Sequence, residues 1–394
     1  MTQSADTKAT SSYRDVLRVS MPIVMSMATT VVMTFTDRVF LANYSIDAIA
    51  AALPAGIIAY VFLIFFADTA GYVSVIIAQY TGAGALHRVG GALWQAIYFA
   101  FISWLIMVGL SFGAGPLFRL VGHSAEVQQL EVIYFRMLCL GSGIHIIGMS
   151  LSSFFTGRGV TRPVMIIYII AMFLNVPLDY ALIYGVWIFP ELGILGAAIA
   201  TVFSWTSATL LLGSIVFTRE NNRIFKTSQN YQFDADLFRR LLRFGVPSSL
   251  QFSLDVFAFS FFVLLVGRIG KAELVVTNIA ISLDSVSFRP LSGFALGAST
   301  LVGQALGRNR PDEAVAAAKT TMVIVASYMT VFILAFVFVP QPLLELFRPR
   351  DISPEDFAVI EGMGVLVLRF VAAYLLLDGL YMISTAVLLS LIHI

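Results

Sequence analysis

Apolar residues along this chain gather into stretches of about 20 or more, the length an α-helix needs to cross the hydrocarbon core of a bilayer. Ten such stretches are predicted as membrane-spanning helices: 19–41, 49–78, 92–117, 132–155, 163–186, 193–217, 246–267, 274–305, 315–339 and 363–389. One polar interruption stands apart, TRENNRIFKTSQNYQFDADLFRRLLR from 218 to 243, which carries six basic residues and separates six spans from four. It predicts a cytoplasmic linker between an N-terminal six-helix lobe, 1–217, and a C-terminal lobe, 244–388, in which four spans are present.

A repeat across that linker supports two lobes. Leu17 and Leu242 define an offset of 225, since 242 − 17 = 225, and at that offset 12 identities fall within the 80 positions from 13 to 92. Their type matters more than their number: Arg14, Arg18, Pro22, Gln79 and Gly82 match Arg239, Arg243, Pro247, Gln304 and Gly307, residues that an apolar composition does not generate. Six spans per repeat is an even number, so the halves are expected to point the same way across the membrane, an arrangement found in transporters.

Composition sharpens the class. Hydrophobic residues make up 59% of the 394 and charged residues 12%, with a mean hydropathy of +0.89, which is a polytopic, all-α membrane protein. A net charge of +1 does not suggest nucleic-acid binding. The single cysteine, Cys139, excludes an internal disulfide and reads as a small apolar residue. The first 18 residues lack the apolar core of a signal peptide. With the N-terminus inside, fifteen Lys and Arg fall on the cytoplasmic side and five, Arg119, Arg268, Lys271, Arg348 and Arg350, on the other, which predicts that orientation.

Charge inside the spans needs a reason, because an Asp at the bilayer centre costs about 2.5 to 3.5 kcal/mol even on insertion scales. In FLNVPLDYALIYG, Asn175 and Asp179 are four residues apart and share a helix face. Pro177 lies between them and leaves the carbonyl of Phe173 without a helical partner, so an opened turn rich in oxygen ligands is expected there. At 1.5 Å per residue Asp37 sits roughly 25 Å up the first span and Asp179 roughly 24 Å up the fifth, so the two can share a proton or cation. Arg38, next to Asp37, would favour its ionised form and take it out of proton coupling.

The later spans carry Asp255, Asp284 and Asp378. By the same rise Asp255 and Asp378 lie roughly 14 and 18 Å from the cytoplasmic edge, level with one another near the midplane, while Asp284 could pair with Arg289. Asp68 is a candidate for either an interhelical contact or a substrate contact. Phe252 and Phe259 share a face with Asp255 and are candidates for holding a lipophilic cation by their ring faces. His145 reads as a core histidine, with proton relay as the sharper alternative.

The motifs VLRVSMPIVMS at 16, AQYTGAGALHRV at 78, FFTGRGVTRPVM at 154, NVPLDYALIYG at 175, ELGILGAAIAT at 191 and GASTLVGQALGRNRPDEA at 297 carry a resemblance over almost the whole chain. The sequence resembles the multidrug and toxin extrusion family of cation-coupled antiporters. That resemblance implies two lobes of six helices each, with Asp37, Asn175 and Asp179 at the positions of an N-lobe coupling site. Asp255 and Asp378 match the acidic positions of its sodium-using members, so Na+ is expected at Asp255 and Asp378 or at Asp37, Asn175 and Asp179. Arg38 departs from the family's more usual neutral residue.

The resemblance implies a secondary active antiporter of the plasma (inner) membrane, exporting amphipathic organic cations or toxic compounds in exchange for Na+ or H+. It is expected to act as a monomer in the bilayer, with no cofactor beyond the coupling ion and no nucleic-acid partner. A flippase for a lipid-linked precursor shares the superfamily but would need several cavity cations for a diphosphate, and only Arg38, Arg136, Arg289 and Arg369 lie in or beside spans. An integral membrane enzyme is the other alternative; no H-E-x-x-H, G-x-S-x-G or D-D-x-x-D occurs in the spans. The chain stops after its tenth span, and LSLIHI at 389–394 equals the translation of CTGTCTCTTATACACATC, a transposon end used in library preparation. These residues are expected to be an artefact, with the natural gene continuing, and His393 carries no functional weight.

Overall fold

A computed structural model describes residues 13–347 and 354–391, apart from the side chains of a few positions; His393 lies outside the described residues. Helices follow in the order α1 (Tyr13–Tyr44), α2 (Ile46–Gly71), α3 (Val73–Gly82), a 3-10 turn (Leu86–Arg88), α4 (Val89–Phe112), α5 (Ala114–Val121), α6 (Ala125–Thr156) and α7 (Arg162–Tyr184). They continue with α8 (Ile194–Val216), α9 (Arg219–Phe225), α10 (Ala235–Ile269), α11 (Lys271–Gly307), α12 (Pro311–Phe338), α13 (Pro340–Glu345) and α14 (Pro354–Ser390). No strand occurs among the described residues, so the expected all-α class holds.

Local chemistry sets the ends. Ser45, Ser124 and Thr218 accept backbone N–H bonds at the starts of α2, α6 and α9, and Gly122 and Gly185 close α5 and α7 in the left-handed conformation that glycine adopts without strain. Among the described residues nine helical segments are long and apolar enough to cross a membrane. The predicted eighth span is not one of them by composition: it is α11, a single 37-residue helix that carries Asp284, Arg289 and Pro290. The predicted third span, 92–117, ends instead at Phe112, where Gly113 separates it from α5.

The described chain forms two compact units, one holding residues 25–254 and the other 13–24 with 255–391. In the first unit α6 is the hub, packed against α2, α4 and α8, with α7 lying on α8. Glycines make this approach feasible: a Cβ on Gly141 would come within 2.3 Å of Val202, on Gly143 within 2.4 Å of Trp104, and on Gly148 within 2.5 Å of Thr209. In the second unit α14 is the hub, packed against α11 and α12 around Leu291, Met329, Leu368 and Leu375.

The repeat is visible in the helix ends. Adding 225 to the last residue of α1, 44, gives 269, the last of α10, and adding it to 46 gives 271, the first of α11. Likewise 82 becomes 307, where α11 ends, and 86, the start of the 3-10 turn, becomes 311, where α12 starts. Packing repeats as well: α2, α4, α5 and α6 make the same set of neighbour pairs as α11, α12, α13 and α14.

The 218–243 segment is largely ordered. Residues 219–225 form α9, 235–243 form the first turns of α10, and the strap between is fastened to α4: Trp94 Nε1 donates to the Thr227 carbonyl at 2.7 Å, Gln95 Nε2 to that of Gln232 at 3.1 Å, and the Tyr98 hydroxyl to that of Tyr231. The Arg158 guanidinium lies 3.9 Å from the ring centroid of Phe225 and 4.5 Å from that of Phe154. Burial there lowers its pKa to about 10, which leaves it charged at neutral pH.

Candidate ion and substrate sites

Three helices of the first unit build one polar centre. α7 contributes Asn175 and Asp179 one turn apart, 1% and 0% exposed; α1 contributes Asp37, 7% exposed; and α6 contributes Tyr134, whose hydroxyl donates to Asp37 Oδ2 at 3.4 Å. The charges of Asp37 and Asp179 act on each other and both act on Tyr134. Asp37 Oδ1, both oxygens of Asp179 and both side-chain heteroatoms of Asn175 are buried without a hydrogen-bond partner among the described residues. Buried polar groups are ordinarily paired, so five such atoms in one place set this cluster apart from the rest of the unit.

An aromatic cluster positions the two acidic helices. Phe40 and Tyr44, one and two turns beyond Asp37, pack edge-on against Tyr180 and Tyr184, which follow Asp179. The Tyr184 hydroxyl donates to the Phe40 carbonyl at 2.8 Å, and Tyr44 donates to Glu191 Oε1 at 2.9 Å.

Pro177 does not open its turn toward the carboxylates. α7 runs unbroken from Arg162 to Tyr184, and Pro177 is exposed, lining a shallow apolar groove of about 230 Å³ with Phe173, Leu174 and Phe203. Two residues on a helix turn through about 200°, so a proline midway between Asn175 and Asp179 must face away from both. The freed carbonyl belongs to the apolar face and adds no ligand to the acids. Arg38 is exposed and makes no ion pair with Asp37 among the described residues.

Two acids of the second unit lie within electrostatic reach of each other. Asp378 on α14 acts electrostatically on Asp284 of α11, and both act on Tyr374. Asp255 on α10 is exposed, Phe252 is half-buried, and Phe259 is exposed with its ring 6.4 Å from that of Phe262. Asp284 does not pair with Arg289: its Oδ1 accepts from the Ser287 hydroxyl at 3.2 Å, and five residues along a helix carry Arg289 about 140° away. Asp68 is half-buried on α2. His145 packs against Trp205 with the rings tilted by 45° and 4.7 Å between centroids.

Among the described residues no group of three or more His, Cys, Asp or Glu side chains gathers as a metal site would. A monovalent cation entering the first centre would meet the oxygens of Asp37, Asn175 and Asp179. Tyr134, Tyr374 and Ser287 are the partners that spans and motifs alone do not reveal.

Known proteins share the family and the fold of this chain. The MatE family model matches residues 22–181 and 247–391. Over 371 residues the chain is 26% identical to the probable multidrug resistance protein NorM of Thermotoga maritima, covering 93% of this chain and 78% of that protein. Among solved structures it is similar to a MOP superfamily transporter from Pyrococcus furiosus, with a TM-score of 0.85 and 21% identity, and to a eukaryotic MATE transporter, with a TM-score of 0.81 and 20% identity. Each alignment covers 96% of this chain and 82% of the other. The fold is the two-lobed helical fold of those transporters.

Proposed function

The chain belongs to the MatE family of membrane transporters, and from that premise we propose that it is a secondary active multidrug efflux antiporter, exporting amphipathic organic cations or related toxic compounds in exchange for Na+ or H+. The observation that carries the reading is the set of five buried, unpartnered polar atoms on Asp37, Asn175 and Asp179. Two carboxylates in a dry interior are costly unless a positive charge joins them. A proton or Na+ does so from one side of the membrane, and the Tyr134 hydroxyl holds Asp37 in place while the ion comes and goes.

Coupling follows from charge. With the ion bound, the centre is neutral and no longer attracts an organic cation; with the ion released, negative charge returns and the cation is drawn in. Ion and substrate thus exclude one another, and exchange results if the centre opens alternately to the two sides. Asp284 and Asp378 would form a second acidic locus for ion or substrate, with Asp255, Asp68, Phe252 and Phe259 as substrate contacts. The same reading puts the protein in the inner membrane, and the fifteen-to-five distribution of cations supports an N-terminus on the cytoplasmic side.

The flippase alternative is weaker here, because a diphosphate needs several cations and only Arg38, Arg136, Arg289 and Arg369 lie in or beside the spans. The deciding experiment measures dye efflux in inverted vesicles energised separately by a pH gradient or a Na+ gradient. Efflux driven by either gradient and abolished by Asp179→Asn supports the proposal. Full activity of Asp179→Asn overturns the assigned site.

A further inference from the structure

Six cations, including Arg219, Arg223, Arg239, Arg240 and Arg243, stand on residues 218–243 against three acids, Glu220, Asp234 and Asp236. All five of these arginines are exposed, and none has a carboxylate within ion-pair distance among the described residues. One of the acids is already occupied: Asp234 Oδ1 accepts from the backbone N–H groups of Asp236 and Leu237 and so caps α10. Arg239, Arg240 and Arg243 share one face of α10, at spacings of three and four residues, while Leu237 and Leu241 on the opposite face are buried.

This charge is held on a fixed support. The bonds from Trp94 and Gln95 fasten the strap to α4, and the Arg158 stack fixes α9 through Phe225. Apolar side chains stand exposed beside the cations: Phe217, Ile224, Tyr231 and Phe233, the last two 58% exposed. A free soluble anion has no use for such neighbours, whereas a phospholipid meets both parts, its phosphate with the guanidinium groups and its glycerol and upper acyl region with the rings. We infer that the surface formed by residues 218–243 docks the headgroups of anionic phospholipids. This inference does not rest on the transport reading, and either can fail without the other.

The test uses the purified full chain in detergent micelles, titrated with phosphatidylglycerol or phosphatidylcholine while thermal unfolding is followed. Phosphatidylglycerol is expected to raise the unfolding temperature above the phosphatidylcholine value, and the effect is expected to fade with added salt. Replacing Arg239, Arg240 and Arg243 by Gln should weaken the apparent phosphatidylglycerol affinity about a hundredfold, a roughly fivefold loss for each cation removed from a membrane surface. Replacing all three by Lys should preserve the affinity, as should Arg268→Gln at the opposite end of α10, so a loss caused by misfolding is recognised. Equal effects of the two lipids, or an undiminished response in the Gln variant, overturns the inference. So does an equal shift produced by inorganic pyrophosphate, which would make this a site for free anions.

Discussion

The Tyr134 hydroxyl, presented by α6, donates to Asp37 Oδ2 on α1 at 3.4 Å and is, among the described residues, the one side-chain donor to the Asp37–Asn175–Asp179 cluster. Tyr134→Phe removes that donor and keeps the ring. It is expected to cost about 1 kcal/mol of stability, the net worth of a typical hydrogen bond, and to lower coupled efflux severalfold as Asp37 loses its orientation. Thermal unfolding and vesicle efflux read the two effects separately.

Asp179 is 0% exposed and both its oxygens lack hydrogen-bond partners among the described residues. Asp179→Asn should therefore leave the unfolding temperature unchanged or raise it, because a buried ionisable group is exchanged for a neutral one of nearly the same shape. Efflux should fall more than tenfold. A variant that both unfolds easily and transports normally would contradict both halves of the argument.

The pairing of Asp284 with Asp378 can be tested without knowing the ion. Residues that act on each other give non-additive double mutants, and residues far apart do not. Asp284→Asn combined with Asp378→Asn is expected to depart clearly from the sum of the single effects on transport. Asp255→Asn combined with Asp378→Asn should be additive, in line with the exposed position of Asp255.

His123 Nδ1 lies 2.7 Å from Glu131 Oε1, and Glu131 is fully buried at the start of α6 while His123 is 39% exposed. His123→Ala removes a hydrogen-bond partner of that buried carboxylate and should destabilise the protein by about 1 to 3 kcal/mol, the usual cost of leaving a buried acceptor unsatisfied. Restoring stability by the further change Glu131→Gln, measured by denaturant unfolding, would confirm that the unsatisfied carboxylate was the cause.

Gly90 touches the strap, since a Cβ there would lie 2.5 Å from the Lys226 carbonyl oxygen. That neighbour is backbone and has little room to move. Gly90→Ala is expected to cost about 1 to 3 kcal/mol, the range for overpacking, and to expose the strap to limited proteolysis between α9 and α10.

Several of these relationships could be read from the chain before any coordinates. The spans of 20 apolar residues, the 225-residue offset and the shared face of Asn175 and Asp179 are all periodic signals, and the structure keeps them as helix ends and a buried cluster. Depth arithmetic brought Asp37 level with Asp179 because both are counted from the same edge. The same counting from the opposite edge would have found Tyr134, which lies roughly 3 Å inside the fourth predicted span; an aromatic hydroxyl near a helix start simply attracts less notice than a carboxylate. Level depth pointed to Asp255 and Asp378 and did not bring out Asp284 within electrostatic reach of Asp378, because rise along a helix says nothing about which way a side chain is rotated. The Pro177 turn failed for a related reason: a freed carbonyl was expected among the acids, although two residues along a helix point it the other way. The strap was invisible as structure because its fastening bonds join Trp94 and Gln95 to carbonyls more than 130 positions away.

The coincident helix ends have a genetic meaning. Two copies of one ancestral unit would have begun with the same residue at 37 and 262, and at 153 and 378; those positions now hold Asp and Phe, Ser and Asp. Architecture has been inherited twice while acidity has been kept once at each place. At these positions neither half duplicates the other's acid, so loss of Asp37 or of Asp378 should be felt at full strength.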